Sequence, residues 1–257
     1  MSALLSIRGV SKTFGGVQAL RAVSMDIAAG EITSVIGPNG AGKSTLMNVI
    51  SGFTAPSSGQ VQMDGATISG LAPHRICRMG LARTFQNLQM FNDMPVWEVA
   101  ATGYYRHQTA GLVSDLLQLP KSRAEQRAAS QKAEELLAFV ELDRAWWTRR
   151  AGDLSYGLQR KLEIARALAT DPKWILLDEP AAGLNTAETA ALGDLFRKII
   201  GRNMSLVLIE HDLELVMKTS TVIYVMDAGA VIAGGSPDHV RNDPGVIAAY
   251  LGVSADA

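Results

Sequence analysis

The sequence predicts an α/β protein: a sheet of short, buried strands with helices on its faces, interrupted by a mostly helical insertion. Short apolar runs alternate with helical segments at both ends of the chain, the pattern of a sheet covered by helices. From about Gly80 to Asp153 the texture changes, and residues 121–140 are rich in Ala, Glu, Gln, Lys and Arg. Turn signals separate the runs, as at Ala29-Gly30 and Pro56-Ser57-Ser58-Gly59.

Leu4 to Val10 and Val23 to Ala28 are expected as strands. In the second, Val23, Met25 and Ile27 alternate with Ser24 and Asp26, the period of a strand with one buried face. Ile32 to Ile36 is a β-branched run suited to a buried strand, and it leads directly into Gly37. A helix is expected from Lys43 to Ile50, stopping near Ser51-Gly52, and Gln60 to Met63 begins another strand. In the middle region Pro120 marks a helix boundary. After it, Ala133, Leu136, Leu137 and Val140 recur at helical spacing, with the charges on a solvated face. Leu158, Leu162, Ala165 and Ala169 share a face of the next helix. The remaining elements are a strand over Ile175 to Leu177, a helix from Thr186 to Ile200 and a strand from Ser205 to Ile209. Val222 to Met226 and Ala230 to Ala233 then form a strand pair, and Pro244 to Leu251 a final helix.

A chain of 257 residues with 47% hydrophobic and 19% charged residues is long enough for a substantial core, as one large domain or one domain with a subdomain. Its net charge of -1 gives no footprint for nucleic acid, and no nucleic-acid partner is expected. The single cysteine, Cys77, cannot form an intrachain disulfide, which fits a reducing, cytoplasmic setting. No apolar run approaches the ~20 residues of a membrane span, and the N-terminus lacks a basic stretch followed by an apolar block. Work at a membrane therefore calls for a partner that supplies the spans.

Gly37-Pro38-Asn39-Gly40-Ala41-Gly42-Lys43-Ser44-Thr45 fits G-x-x-x-x-G-K-[ST] between an expected strand and an expected helix. Glycines let successive N–H groups turn toward phosphate oxygens, and the helix N-terminus adds about half a positive charge at the same place. Lys43 can reach the β- and γ-phosphates, and Ser44 can offer its hydroxyl to Mg²⁺. A second motif is the apolar run Trp174 to Leu177 ending in Asp178-Glu179-Pro180. It sets two carboxylates at the C-terminal edge of a sheet, where open α/β folds bind ligands. Asp178 suits Mg²⁺, and Glu179 suits orienting and deprotonating an attacking water.

Leu154-Ser155-Tyr156-Gly157-Leu158-Gln159-Arg160 resembles the signature of the ABC ATPases, usually written LSGGQQ. Tyr156 stands for the first glycine and Leu158 for the first glutamine. Ser155 and Gly157, the positions of the phosphate contact, remain. Further pieces of the resemblance follow in order. Gln86, in Arg83-Thr-Phe-Gln-Asn87, matches the glutamine that reaches Mg²⁺ and the attacking water. Ala182-Gly183-Leu184-Asn185 matches the loop after the Asp-Glu pair, with Asn185 where Asp is commoner. His211 matches the histidine that senses the γ-phosphate, and Phe14 the aromatic that stacks on adenine. The resemblance implies a phosphate-loop NTPase (RecA-like) core with an N-terminal antiparallel β subdomain and an inserted α-helical subdomain, all in one ATPase domain. Residues 1–85 and 156–257 would form the core with its β subdomain, and 86–155 the helical subdomain. It also implies ATP and Mg²⁺ as cofactors, with two ATPs held in a dimer between one subunit's loop and the other's Ser155 and Gly157.

The segments Arg83 to Phe91 and Pro244 to Gly252, Tyr156 in the signature, and the long insertion between Gln86 and Ser155 are similar to the ATPases of branched-chain amino acid importers. That implies a second ATPase (the same chain or a paralogue), two membrane permease subunits and an extracytoplasmic solute-binding protein, with this chain at the cytoplasmic face of the membrane. Amides, urea and aromatic acids are alternative substrates, and a soluble ABC ATPase outside transport is the alternative of a different class. Leu88, Met90, Phe91 and Met94 suit either a groove for the permease or packing between subdomains.

Overall fold

A computed structural model describes residues 4–84, 91–109, 114, 116, 117 and 119–251. The chain divides into two compact units, residues 1–83 with 173–257, and residues 84–172.

The first unit holds two sheets. One has four strands in the order β2-β1-β4-β5, formed by β1 (Leu4–Phe14), β2 (Val17–Ala28), β4 (Ser58–Met63) and β5 (Ala66–Thr67). β1 runs antiparallel to both β2 and β4. It turns into β2 through Gly15-Gly16, both at positive φ, the backbone a two-residue hairpin requires. Pairing Leu5 with Ile27 and Ile7 with Met25 puts all four side chains on the buried face.

The other sheet has six strands in the order β10-β9-β3-β8-β7-β6. They are β3 (Ile32–Ile36), β6 (Leu81–Arg83), β7 (Trp174–Asp178), β8 (Ser205–Ile209), β9 (Val222–Asp227) and β10 (Ala230–Gly235). β9, β3, β8, β7 and β6 are mutually parallel, and β10 closes the edge antiparallel to β9. Every residue of β3, β7 and β8 is buried, as expected for parallel strands covered on both faces.

Helix α1 (Lys43–Ile50) buries Leu46, Met47, Val49 and Ile50 in a cluster with Trp174, Leu176, Val207 and Ile209. The inward side chains of the antiparallel sheet, Leu5, Ile7, Met25 and Ile27 among them, join the same cluster. α2 (Pro73–Met79), α6 (Thr186–Ile200), α7 (Leu213–Thr219), α8 (Pro237–Arg241) and α9 (Pro244–Leu251) complete the unit. A second cluster joins Ile36, Val216, Ile223, Val225 and Val240 to Val246 of α9.

The second unit is helical. α3 (Val96–Thr102), α4 (Pro120–Phe139) and α5 (Tyr156–Leu168) pack on one another, and Val99, Ala100, Ala133, Leu137 and Leu162 on them are buried. Gly103 sits where a Cβ would lie 2.0 Å from the Arg166 carbonyl oxygen, so the chain after α3 comes within backbone distance of α5.

The α/β core, the antiparallel β layer and the helical insertion expected from the sequence are all present. The sequence places the return to the core at residue 156, whereas the two compact units divide between Pro172 and Lys173. α5 buries its apolar face on α3 and α4, so the helical unit extends to Pro172 and the core resumes at Lys173. No helix among the described residues is long and apolar enough to cross a membrane.

Candidate nucleotide site

The loop from Gly37 to Gly42 joins the C-terminal end of β3 to α1. Two glycines make its path possible. Gly37 has φ +150, and a Cβ there would lie 2.0 Å from the Met226 carbonyl oxygen; at Gly42, φ +97, it would lie 2.5 Å from that of Ala19. The loop is tied down at Ala41, whose carbonyl accepts from Gly229 N–H at 3.1 Å. α1 starts without a side-chain cap. An N-cap hydrogen bond is worth ~1 kcal/mol, while each buried apolar side chain contributes about 1.5–3 kcal/mol. Four such side chains hold α1 in place and leave its first-turn N–H groups for an anion.

Lys43 is buried, and its Nζ donates to the carbonyls of Gly37 at 2.7 Å and Pro38 at 3.0 Å. Burial pulls its pKa down, and the charges of Glu179 and Asp178 oppose that shift. Ala41 is buried, Pro38 and Thr45 are half-buried, and Asn39, Gly40 and Ser44 are exposed.

Asp178 ends β7 and is buried. Glu179 follows with a left-handed backbone, φ +49, and its N–H donates to the Ile209 carbonyl at 2.9 Å. That bond continues the β7–β8 pairing by one residue, which brings the loops after the two strands side by side. The Glu179 carboxylate then lies 2.8 Å from His211 Nε2. Adjacent parallel strands thus bring together Lys43, Asp178, Glu179 and His211, which lie far apart in sequence.

Two functional candidates escaped the sequence. Arg83, at the end of β6, pairs with Asp178 at 3.1 Å and donates to Asn48 Oδ1 at 2.7 Å and Ser51 Oγ at 2.8 Å. The β6–β7 pairing, with Arg83 opposite Leu176, makes this contact possible. Glu210 is buried between Ile209 and His211, and accepts hydrogen bonds from Ala181 N–H and His211 N–H. Its only sequence signal was an acid where a strand expected to be buried ends. Asn185, the departure from the family pattern, is the N-cap of α6. Its side chain accepts from Glu188 N–H and the Glu188 carboxylate accepts from Asn185 N–H, both at 3.0 Å.

Of the remaining expected residues, Phe14 is exposed at the end of β1 with Lys12 Nζ 4.8 Å above its ring. In the helical unit Ser155 is the exposed N-cap of α5, without a side-chain cap hydrogen bond, and Gly157 is half-buried in its first turn. Tyr156 accepts a 2.6 Å hydrogen bond from Arg160, which also pairs with Glu163 at 3.0 Å. The tyrosine in place of glycine is therefore anchored to its own helix. Gln86 lies outside the described residues, as do Leu88 and Met90; Phe91 is exposed and Met94 half-buried.

Fold and site together define a phosphate-loop nucleotide-binding cassette. Residues 20–182 match the family model described as ABC transporter, and residues 230–256 the one described as branched-chain amino acid ATP-binding cassette transporter. The chain is 42% identical over 97% of its length to the high-affinity branched-chain amino acid transport ATP-binding protein BraF of Pseudomonas aeruginosa, covering 98% of that protein. It is equally similar to LivG of Escherichia coli K12, with 42% identity over 97% of this chain and 98% of the relative. Two solved structures are similar throughout. A nucleotide-free cassette of an ABC transporter superposes with a TM-score of 0.83 at 33% identity, over 96% of this chain and 98% of its own. A cassette in its ADP conformation gives 0.85 at 33%, over 98% and 100%. The chain belongs to the ABC transporter ATP-binding proteins, in the branched-chain amino acid transport family.

Proposed function

We propose that this chain hydrolyses ATP and couples the hydrolysis to uptake of branched-chain or related hydrophobic amino acids by an ABC importer. The ATPase reading is carried by the 2.8 Å pairing of Glu179 with His211, on loops that share one sheet edge with Lys43 and Asp178. The transport reading rests on relatives named for branched-chain amino acid transport that match nearly the whole chain.

The residues suit a nucleoside triphosphate with Mg²⁺. An uncapped helix start, glycines with no room for a side chain, and a buried lysine suit the phosphates. The Ser44 hydroxyl and Asp178 carboxylate, with Gln86, offer the hard oxygen donors that Mg²⁺ takes. When bound, the ion neutralises charge on the β- and γ-phosphates. Arg83 holds the Asp178 carboxylate in position. Glu179 orients the attacking water and accepts its proton, while His211 fixes that carboxylate and faces the γ-phosphate. Phe14 offers its ring face to adenine. Ser155 and Gly157 complete the site from a second subunit, with a hydroxyl, a backbone N–H and the N-terminus of α5. ATP binding closes this dimer, and hydrolysis with product release reopens it. Permease subunits supply the membrane spans at whose cytoplasmic face the dimer sits, and a solute-binding protein delivers the substrate.

Glu179→Gln is expected to retain ATP affinity, to accumulate a closed dimer in size-exclusion chromatography, and to lose about 10²–10⁴-fold in turnover. Wild-type turnover in that variant refutes the role of Glu179. In liposomes carrying the permease, the binding protein and this chain, labelled leucine should accumulate only with ATP. Uptake of an amide, urea or an aromatic acid instead of leucine refutes the substrate.

A further inference from the structure

Glu210 is 2% exposed, takes no part in the chemistry proposed above, and lies next to His211 in the chain. Its Oε1 accepts from Ala181 N–H at 2.6 Å and its Oε2 from His211 N–H at 3.1 Å. Burial pushes the carboxyl pKa up, and these N–H groups pull it back. Both hydrogen-bond partners are backbone N–H donors, so the side chain accepts through both of its oxygens.

What those bonds join is specific. Backbone pairing of β7 with β8 ends at Glu179 N–H on the Ile209 carbonyl. Beyond it the chains part, toward Pro180-Ala181 on one side and His211-Asp212 on the other. Neighbouring side chains of an extended chain leave it on opposite sides. His211 reaches across to the Glu179 carboxylate, and Glu210 reaches across to the Ala181 backbone. The loop that holds Glu179 and the loop that holds His211 are thus fastened to each other twice past the end of the ladder. One fastening is the pair of reacting groups; the other is a buried carboxylate on backbone N–H groups.

We infer that Glu210 is a positioning residue for the hydrolytic step, a clamp that sets the distance between the Glu179 carboxylate and the His211 imidazole by tying together the backbones of their two loops. The inference rests on the roles proposed for Glu179 and His211. Placing reacting groups wrongly by about 1 Å costs on the order of 100-fold in rate, and a buried carboxylate bonded to N–H groups on both loops opposes such drift. ATP affinity depends on the phosphate loop and α1, which Glu210 does not touch among the described contacts.

The test compares Glu210→Gln, Glu210→Asp, His211→Ala and Glu210→Gln/His211→Ala in the full-length chain. Each is assayed for steady-state ATP turnover, for ATP affinity by calorimetry, and for its melting temperature. Gln keeps the shape but points an amide N–H at a backbone N–H; Asp keeps the charge but shortens the reach. Glu210→Gln should lower kcat about 10–100-fold with ATP affinity within about twofold of wild type, and Glu210→Asp should lie between. In the His211→Ala background the same change should add no further loss, because its effect acts through the ring. Wild-type kcat in either folded variant overturns the inference, as does full additivity in the double variant, or loss of a cooperative melt in both single variants, which would make Glu210 a folding determinant. Wild-type turnover in His211→Ala refutes instead the role of His211. A slow His211→Ala beside an unaffected Glu210→Gln leaves that role standing and removes only the clamp.

Discussion

Arg83→Met is expected to destabilise the protein far beyond an ordinary surface change. The Arg83 and Asp178 side chains are each only 7% exposed, and the guanidinium also serves Asn48 and Ser51. An exposed ion pair contributes ~0–1 kcal/mol. Removing one member of a buried pair costs about 3–5 kcal/mol, because the other charge is left without compensation. Burial decides between these ranges, and the larger applies. For a chain of this size each kcal/mol shifts the melting temperature by about 2–4 °C, so the melt should fall by roughly 6–20 °C. Methionine fills similar volume, which keeps the cavity contribution small. Arg83→Met/Asp178→Asn removes both charges and should recover much of the loss. Urea and thermal unfolding followed by circular dichroism would measure all three chains. A fall under about 2 °C for the single variant, or a double variant as unstable as the single, refutes the reasoning.

Other substitutions test other parts of the structure. Gly37→Ala forces a Cβ to within 2.0 Å of the Met226 carbonyl oxygen, so strand or loop must move. A destabilisation of about 1–3 kcal/mol with a sharp loss of ATP affinity is expected, measured by calorimetry. Asn185→Ala removes the capping box of α6 and should cost ~1 kcal/mol in urea unfolding. The hydrogen bond from Arg8, foremost, holds the Asp26 carboxyl below its ordinary value. A depressed carboxylate stabilises the fold above its unfolded pKa, about 3.9, and that contribution disappears as pH falls through the folded value. Asp26→Asn should therefore be less stable than wild type at pH 7 and equal to it in strong acid, a convergence that melting curves across pH would detect.

Legibility of the sequence followed the locality of the signal. β3, α1, α6, β8 and α9 run as read, because each is a short apolar run or amphipathic segment with its boundary written beside it. α2 was missed although Pro73 opens it and Gly80, at φ +111, closes it, a pairing that marks helix ends. The same holds for α7, which Asp212 caps through Leu215 N–H. β6 spans three residues, too few to show a period, and it is a strand because β7 lies beside it. The division at residue 172 depends on what α5 packs against, which its own amphipathic pattern does not state. In the site, the phosphate loop and the Asp178-Glu179 pair could be read because their geometry is built from consecutive residues. Arg83 and Glu210 could not, since each acts across strands whose adjacency exists only once the sheet has formed.

The left-handed backbone at Glu179 separates what the fold needs from what the reaction needs. A non-glycine residue in that conformation costs about 1–2 kcal/mol, whereas glycine there costs only the ~0.5–1 kcal/mol of its extra freedom in the unfolded chain. Judged by folding alone, Glu179→Gly is close to neutral or slightly favourable, and β-branched residues are the worst occupants of the position. A library screened only for soluble expression should thus drift toward glycine at 179, and one screened for ATP turnover should hold glutamate. The gap between those two outcomes at a single codon measures how strongly chemistry, against the preference of the backbone, keeps the acid in place.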